Sequence, residues 1–287
     1  MNSAIFPMIP LDTATAARSV FGKSNFYLVT GDQANHLFEG LNLEDPVGTL
    51  QLTPRTLAMF YLITIFQFIE NLPDPLAANA LQERIDWKYA LHLPMNTPGV
   101  EARSLCEFRQ ILLVERINQA QLQLLLRRLS EVTDFTGKQG FNLEAIQVIS
   151  GVCQTSRLAE TWEALKQAMV ILETRYSGWL IGVGLPHWYE RYTNPQRAIN
   201  LGTGRLKKHS LTHMIGADGF YLLKAISETG YPGLADLPEV LKLKQTWEEQ
   251  YEQIEGKVLW RQAACKSCSL HSKSPQSLIN SNYNVPQ

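Results

Sequence analysis

The sequence lacks the features that define several large protein classes. Only 18% of its 287 residues are charged, and 26 basic against 27 acidic side chains leave a formal net charge of −1. The chain therefore has no overall positive charge of the kind that marks many nucleic-acid-binding proteins. A surface that binds nucleic acid would have to be a local basic patch, with its charge balanced by acidic residues elsewhere. Four cysteines in a chain of this length do not make a disulfide framework, and they fit a reducing compartment.

Long apolar runs are also missing. The longest stretch, 57–69, includes Thr64 and Gln67, and it is shorter than the roughly 20 residues of a membrane span. The first residues show no basic segment followed by an unbroken apolar one, so a secretory signal is not expected. We therefore expect a cytoplasmic protein without a membrane partner, in which 57–69 is a helix buried on nearly all sides.

Apolar residues at three- and four-residue steps predict a mainly α-helical protein. A first helix starts at the Thr53-Pro54 pair, which suits an N-cap and a first turn, and runs to about Asn71. A second helix begins behind Asp74 as its cap, and a third, amphipathic one covers 100–117. These three helices follow a lead-in segment with shorter helical pieces.

The best domain border lies near residue 140, where two glycines interrupt the helical pattern. We expect a helical amino-terminal domain over 1–140, a second helical region over 141–262 and a frayed tail over 263–287. In the second region, helical patterns at 143–177, 205–227 and 237–256 flank a Gly-, Pro- and aromatic-rich connector at 176–210.

Three segments carry a resemblance to a known family. They are IPLDTATAARSVFGKSNFYL (9–28), the block 52–94 that contains RIDWKYAL (84–91), and TPGVEARSLCEFRQILL (97–113). Together they resemble the amino-terminal region of bacterial insertion-sequence transposases of the DDE class, and RIDWKYAL is the most specific element. Shorter matches continue in the family's order at WYERY (188–192), IGADGFYLL (215–223) and WEEQYEQIEGKVLWR (247–261).

This resemblance implies that the first domain binds DNA. Three helices with short turns, the third of which carries arginines, suit a helix-turn-helix-like arrangement. From the pattern alone, a plain helical bundle with solvated arginines explains the same helices. In RIDWKYAL we expect Trp87 and Tyr89 to pack the second helix on the first rather than to stack on bases.

Contacts to DNA phosphates need Arg or Lys at helix ends or in loops. The candidates are Arg55, Arg103, Arg109, Arg127, Arg128, Arg197, Arg205, Lys207 and Lys208. The window 191–215 has five basic residues and no acidic one, which makes it the strongest local basic patch. Such a run is usually a solvated face, and only the resemblance points it to DNA.

DDE transposases hold two divalent ions, expected to be Mg²⁺, with three carboxylates on a ribonuclease-H-like fold. In the branch that this chain resembles, the first acid is the Asp of a TDSTHV-like motif. That motif falls on LEAIQV (143–148), so Glu144 takes the place of the Asp. The extra methylene moves the carboxylate by roughly 1.5 Å, whereas catalytic sites tolerate only about 0.5 Å. A solvated glutamate at a helix start is the simpler interpretation.

The second and third acids of the family would follow a SPYD-like segment, which 279–287 resembles in a worn form. Three other acids lie in no matching motif: Asp134, Asp218 and Asp236. Cys265, Cys268 and His271 are zinc-ligand residue types, but a structural site needs a fourth ligand. We therefore predict no metal site, no cofactor for this chain, and an incomplete catalytic core.

The sequence leads us to expect a truncated insertion-sequence transposase of the bacterial nucleoid that binds the terminal inverted repeats of a transposon. Its protein partners would be an intact transposase or a second copy of itself. Two alternatives stay open: a metal-dependent nicking or strand-transfer enzyme completed by another polypeptide, and a helical interaction protein without a DNA role.

Overall fold

The computed structural model describes residues 4–43, 52–133, 143–193 and 205–261. The protein is mainly helical, as predicted: 72% of the described residues are in helices, and the β-structure among them is one small two-stranded sheet. The chain divides into two compact units between Cys153 and Gln154. The border predicted near residue 140 lies outside the described residues.

The first unit contains eight helices and the start of a ninth in its described part. They are α1 (Leu11–Val20), α2 (Phe26–Asp32), α3 (Ala34–Leu37), α4 (Pro54–Glu70), α5 (Asp74–Glu83), α6 (Ile85–Ala90), α7 (Ala102–Val114), α8 (Arg116–Val132) and α9 (Ala145–Val183). The lead-in segment before α4 forms short helices, as predicted, and Asn25 caps α2 by accepting hydrogen bonds from the Tyr27 and Leu28 amides.

Helix α4 is central to the core of the first unit because its sequence is apolar all round. The Thr53 hydroxyl accepts a hydrogen bond from the Thr56 amide (3.2 Å), Pro54 occupies the first turn, and Asn71 ends the helix in the left-handed conformation (φ 57°). Every residue from Leu57 to Gln67 is buried. The structure thus confirms both the predicted start of this helix and its burial.

No single helix among the described residues is long and apolar enough to cross a membrane. Helices α4 and α5 reach the required length and hydropathy only as a pair, and that pair is bent by 109°.

The RIDWKYAL octet packs around a carboxylate at the end of α4. Glu70 accepts hydrogen bonds from the Tyr27 hydroxyl, the Trp87 indole N–H (3.1 Å) and the Arg84 guanidinium. Arg84 also makes an ion pair with Asp86 (2.6 Å), and the buried Trp87 ring packs against α4. The octet is therefore a packing element, as expected for Trp87.

Tyr89, the second aromatic residue of the octet, packs elsewhere than predicted. It lies in a small buried cluster with α1 and α2 rather than against α4. Its hydroxyl donates to Asp32 (2.6 Å) and accepts from Arg18 (2.7 Å). Tyr89 thus attaches the two lead-in helices to α6.

The second unit contains the rest of α9 and three further helices in its described part, followed by the sheet. These elements are α10 (Pro186–Thr193), α11 (Arg205–Glu228), α12 (Pro238–Gln250), β1 (Tyr251–Ile254) and β2 (Lys257–Trp260). The strands are antiparallel, and Ile254 pairs with Lys257 across a two-residue turn. The buried face of α9 carries the five residues predicted from spacing: Leu158, Trp162, Leu165, Met169 and Leu172.

Two predictions for this unit are wrong. The described part of the connector 176–210 is largely helical, because α9 continues past a kink at Tyr176 to Val183 and α10 follows. The helix predicted over 237–256 ends at Gln250, and the chain then forms the β1–β2 hairpin.

Candidate nucleic-acid interface

Helix α8 is fixed in place by polar side chains in its first turn. A single extended residue, Glu115 (φ −95°, ψ 107°), separates it from α7. The Gln119 amide donates to two carbonyls in the last turn of α7 (2.9 and 3.1 Å), where a helix leaves such groups unpaired. Asn118 accepts a hydrogen bond from the Tyr61 hydroxyl of α4 (3.0 Å). These contacts hold α8 against both α7 and α4.

One side of α8 is buried and the other is open to solvent. The buried apolar side carries Leu122, Leu125, Leu126 and Leu129. The exposed side carries Arg116, Ala120 and Arg127. Because eleven residues make just over three full helical turns, Arg116 and Arg127 lie on the same side of α8, roughly 16 Å apart along its axis.

The side chains of these two arginines make no polar contact that would stabilise the described part of the fold. No ion pair or side-chain hydrogen bond joins Arg116 or Arg127 to the described residues. An exposed guanidinium with free N–H donors is the group that binds a phosphate or the edge of a guanine. Glu131, exposed one turn after Arg127, ends the basic stretch.

The structure places Arg127 and Glu144 at the same shallow, open depression of the first unit. Its lining comes from α8 and from the start of α9. Gln123 joins the two elements, since its side chain accepts a hydrogen bond from the Ala145 amide (2.7 Å) and donates to the Leu143 carbonyl (3.1 Å). One predicted DNA contact and the predicted first acid are thus brought together.

Arg109 does not face solvent, and its prediction as a phosphate contact is incompatible with this position. Its side chain is 1% exposed and pairs with Asp74, with a 2.6 Å hydrogen bond from Nη1 to Oδ1. Gln67 donates to the same oxygen (2.8 Å). Burial by itself lowers the pKa of Arg109, but the Asp74 carboxylate outweighs it, so the pKa lies above its ordinary value. Asp74 is predicted as the cap of the second helix, but in the structure α5 begins at Asp74 itself and Pro73 occupies the N-cap position.

Three further predicted contacts are also engaged inside the protein. Arg128 donates to two backbone carbonyls at and just after the end of α3 (2.8 and 2.7 Å). Arg55 donates to the His92 carbonyl (3.0 Å), and Lys208 donates to the Thr155 hydroxyl (2.6 Å). Burial lowers the pKa of both Arg55 and Lys208. These three side chains therefore donate hydrogen bonds within the protein and stabilise its fold.

The remaining basic candidates are Arg103, which forms an ion pair at the surface, and three residues whose side chains lie outside the described part of the structure. Arg103 pairs with Glu107 one turn along α7 (2.7 Å) and is partly exposed. Arg197 lies outside the described residues. Arg205 and Lys207 belong to the first turn of α11, but their side chains are not among the described ones.

The acids of the described residues do not gather into a metal centre. Glu144 is exposed immediately before α9, as expected for a glutamate at a helix start. Asp218 is buried between Arg191 and the Tyr192 hydroxyl (2.6 Å), and Asp236 is exposed in a turn. Among the described residues, no three or more His, Cys, Asp or Glu side chains converge on one point. These residues therefore do not fit a two-metal centre. Four candidates lie outside this part of the chain: Asp134, Cys265, Cys268 and His271.

Comparisons with protein-family models, with curated proteins and with solved structures give no match. The candidate interface is therefore identified from the described residues of this chain, above all from the unpaired Arg116 and Arg127 of α8. Arg116 is absent from the predicted candidates. Its spacing of eleven residues from Arg127, just after the helix break at Glu115, is the signal that points to it.

Proposed function

We propose that the protein binds DNA at the ends of a bacterial insertion-sequence element, through the solvent-exposed side of α8. The observation that carries this proposal is the position of Arg116 and Arg127, unpaired on one side of a single helix. The resemblance of residues 9–113 to the amino-terminal region of DDE transposases supports it.

The dimensions of α8 suit the major groove of DNA. That groove is about 12 Å wide and accommodates an α-helix. Arginines roughly 16 Å apart along the axis would reach phosphates on both walls or the edges of guanines. The contacts of α8 with α7 and α4 would orient it, as the first helix of a helix-turn-helix orients the second.

The proposal concerns binding alone. Strand cleavage is not assigned to the described residues, because Glu144 lacks the two further carboxylates that a two-metal reaction requires. A protein that occupies transposon ends in this way would compete with an intact transposase or join it there.

A gel-shift assay tests the proposal with the double variant Arg116→Glu/Arg127→Glu. The probe is a duplex copied from the inverted repeats that flank the coding sequence, and a shuffled duplex measures non-specific binding. We expect the variant to bind the repeat at least about tenfold more weakly. The slope of log affinity against log salt should fall by about two, since each lost phosphate contact removes about 0.9.

Lys23→Glu/Arg175→Glu is the matched control, because it makes the same change in net charge at two exposed residues that do not belong to α8. It should keep the affinity for the repeat. Equal losses in the two double variants would show a general charge effect. Equal binding of the repeat and the shuffled duplex by the unmodified protein would remove the end-specific proposal.

A further inference from the structure

Two histidines of α11, His209 and His213, lie one helical turn apart and face each other. Their ring centres are 4.3 Å apart, and their Nε2 atoms are 3.2 Å apart. Because the Nε2 atoms are closer than the ring centres, the two rings converge at these nitrogens. His209 is exposed and His213 is half-buried, so an ion from solution can reach the point of convergence.

The hairpin sets the proton position on His213. Its Nδ1 lies 2.9 Å from the carbonyl oxygen of Val258 in β2. Since a carbonyl only accepts hydrogen bonds, Nδ1 carries the proton and donates it. The neutral ring then keeps its lone pair on Nε2, directed toward His209. Histidines that bind metals commonly donate their other N–H to a backbone carbonyl in this way.

The distance between the two Nε2 atoms suits a single bound ion. Zinc binds imidazole nitrogen at about 2.0–2.1 Å, so two nitrogens 3.2 Å apart would subtend an angle of about 100–106° at the ion, close to tetrahedral. No third His, Cys, Asp or Glu side chain of the described residues joins this pair. Water or another small ligand would complete the coordination.

We propose that His209 and His213 form a two-histidine site for a divalent transition-metal ion, Zn²⁺ above all. In the ion-free protein, Nε2–H of His209 donates to the lone pair of His213. On binding, the His209 proton moves to Nδ1, so that both Nε2 lone pairs reach the ion and both rings stay neutral. The ion would fix the first turns of α11, and the Val258 hydrogen bond would connect it to the hairpin.

Calorimetric titration with zinc chloride at neutral pH tests the site. The protein is the untagged 287-residue chain with Cys265→Ser and Cys268→Ser, so that neither position offers a cysteine that could compete for zinc. We expect one equivalent of Zn²⁺ to bind. His209→Gln and His213→Gln should each weaken binding at least about tenfold, because each removes half of the chelate. His187→Gln, at an exposed lone histidine of α10, should leave the titration unchanged.

A second measurement needs no variant at the site. In the proton NMR spectrum, zinc should shift the imidazole C–H resonances of His209 and His213 together at one equivalent. The proposal is overturned if the parent protein binds no stoichiometric zinc. It is equally overturned if both histidine variants titrate like the parent, if His187→Gln loses as much affinity, or if other resonances move instead.

Discussion

At the scale of single residues, Arg109 and Arg103 lie on the same helix in opposite environments. Arg109 is buried against Asp74, whereas Arg103 is partly exposed beside Glu107. We expect Arg109→Met to lower the free energy of unfolding by about 3–5 kcal/mol, because Asp74 is left buried without its countercharge. Arg103→Met, the matched change on the surface, should cost less than about 1 kcal/mol.

Urea unfolding followed by circular dichroism measures both effects. The double variant Asp74→Leu/Arg109→Met should lose less than the sum of the two single changes, since neither charge then stays unpaired. Similar stability of Arg109→Met and the unmodified protein would contradict a structural role for this ion pair.

The same residues show which parts of the site are readable from sequence. Arg109 follows Leu105 by four positions and precedes Leu112 by three, so periodicity alone places it on the apolar face of α7. Arg127 and Arg128 are adjacent in the chain, yet neighbours on a helix point about 100° apart. Only the position of α3, whose final carbonyls Arg128 binds, decides which of the two is free.

At the scale of elements, two glycines inside helices have opposite surroundings. A methyl group at Gly219 in α11 would lie 2.0 Å from the Trp247 ring of α12, whereas one at Gly178 in α9 would meet nothing within 4 Å. We expect Gly219→Ala to destabilise the protein by about 1–3 kcal/mol through overpacking. Gly178→Ala should stabilise it by about 0.5–1 kcal/mol, because alanine restricts the unfolded chain and favours helix.

Thermal unfolding distinguishes the two alanine variants, which differ only in their position along the chain. A lower Tm for Gly219→Ala and a higher one for Gly178→Ala are expected. Equal shifts of the same sign would mean that α11 and α12 do not pack through Trp247 at this glycine.

The hairpin was the least predictable element, and tertiary contacts explain why. Glu, Gln and Lys around its turn are good helix formers, so the local pattern continues that of α12. The turn itself places Glu255 (φ 50°) and Gly256 (φ 77°) in the left-handed region, as two-residue hairpins require. Tyr251 and Trp260 then pack edge to face (4.9 Å), and β2 lies against α11. Strand formation therefore depends on neighbours that the local sequence does not contain.

At the scale of the whole molecule, buried tyrosines should limit stability at alkaline pH. Burial raises the pKa of five of the ten tyrosines above the ordinary value near 10, three in the first unit and two in the second: Tyr27, Tyr61, Tyr89, Tyr192 and Tyr251. Neighbouring carboxylates add to the effect at Tyr27 and Tyr192. Above about pH 10, the unfolded chain loses phenolic protons that the folded protein keeps. Its stability is therefore expected to fall as the pH rises through and beyond that value.

Phenolate absorbance and circular dichroism, recorded on the same samples across the alkaline range, measure this linkage. We expect the signal from these five phenols to appear together with the loss of helix, and Tyr251→Phe to lower the number of protons released on unfolding by about one. Tyr251 lies in the core of the second unit, and its hydroxyl donates to the Thr212 carbonyl (3.1 Å), so the variant's stability at neutral pH provides the reference. If all ten tyrosines ionise while the helical signal stays intact, the buried hydroxyls are accessible to solvent in the folded state, and the packing of both cores is looser than described above.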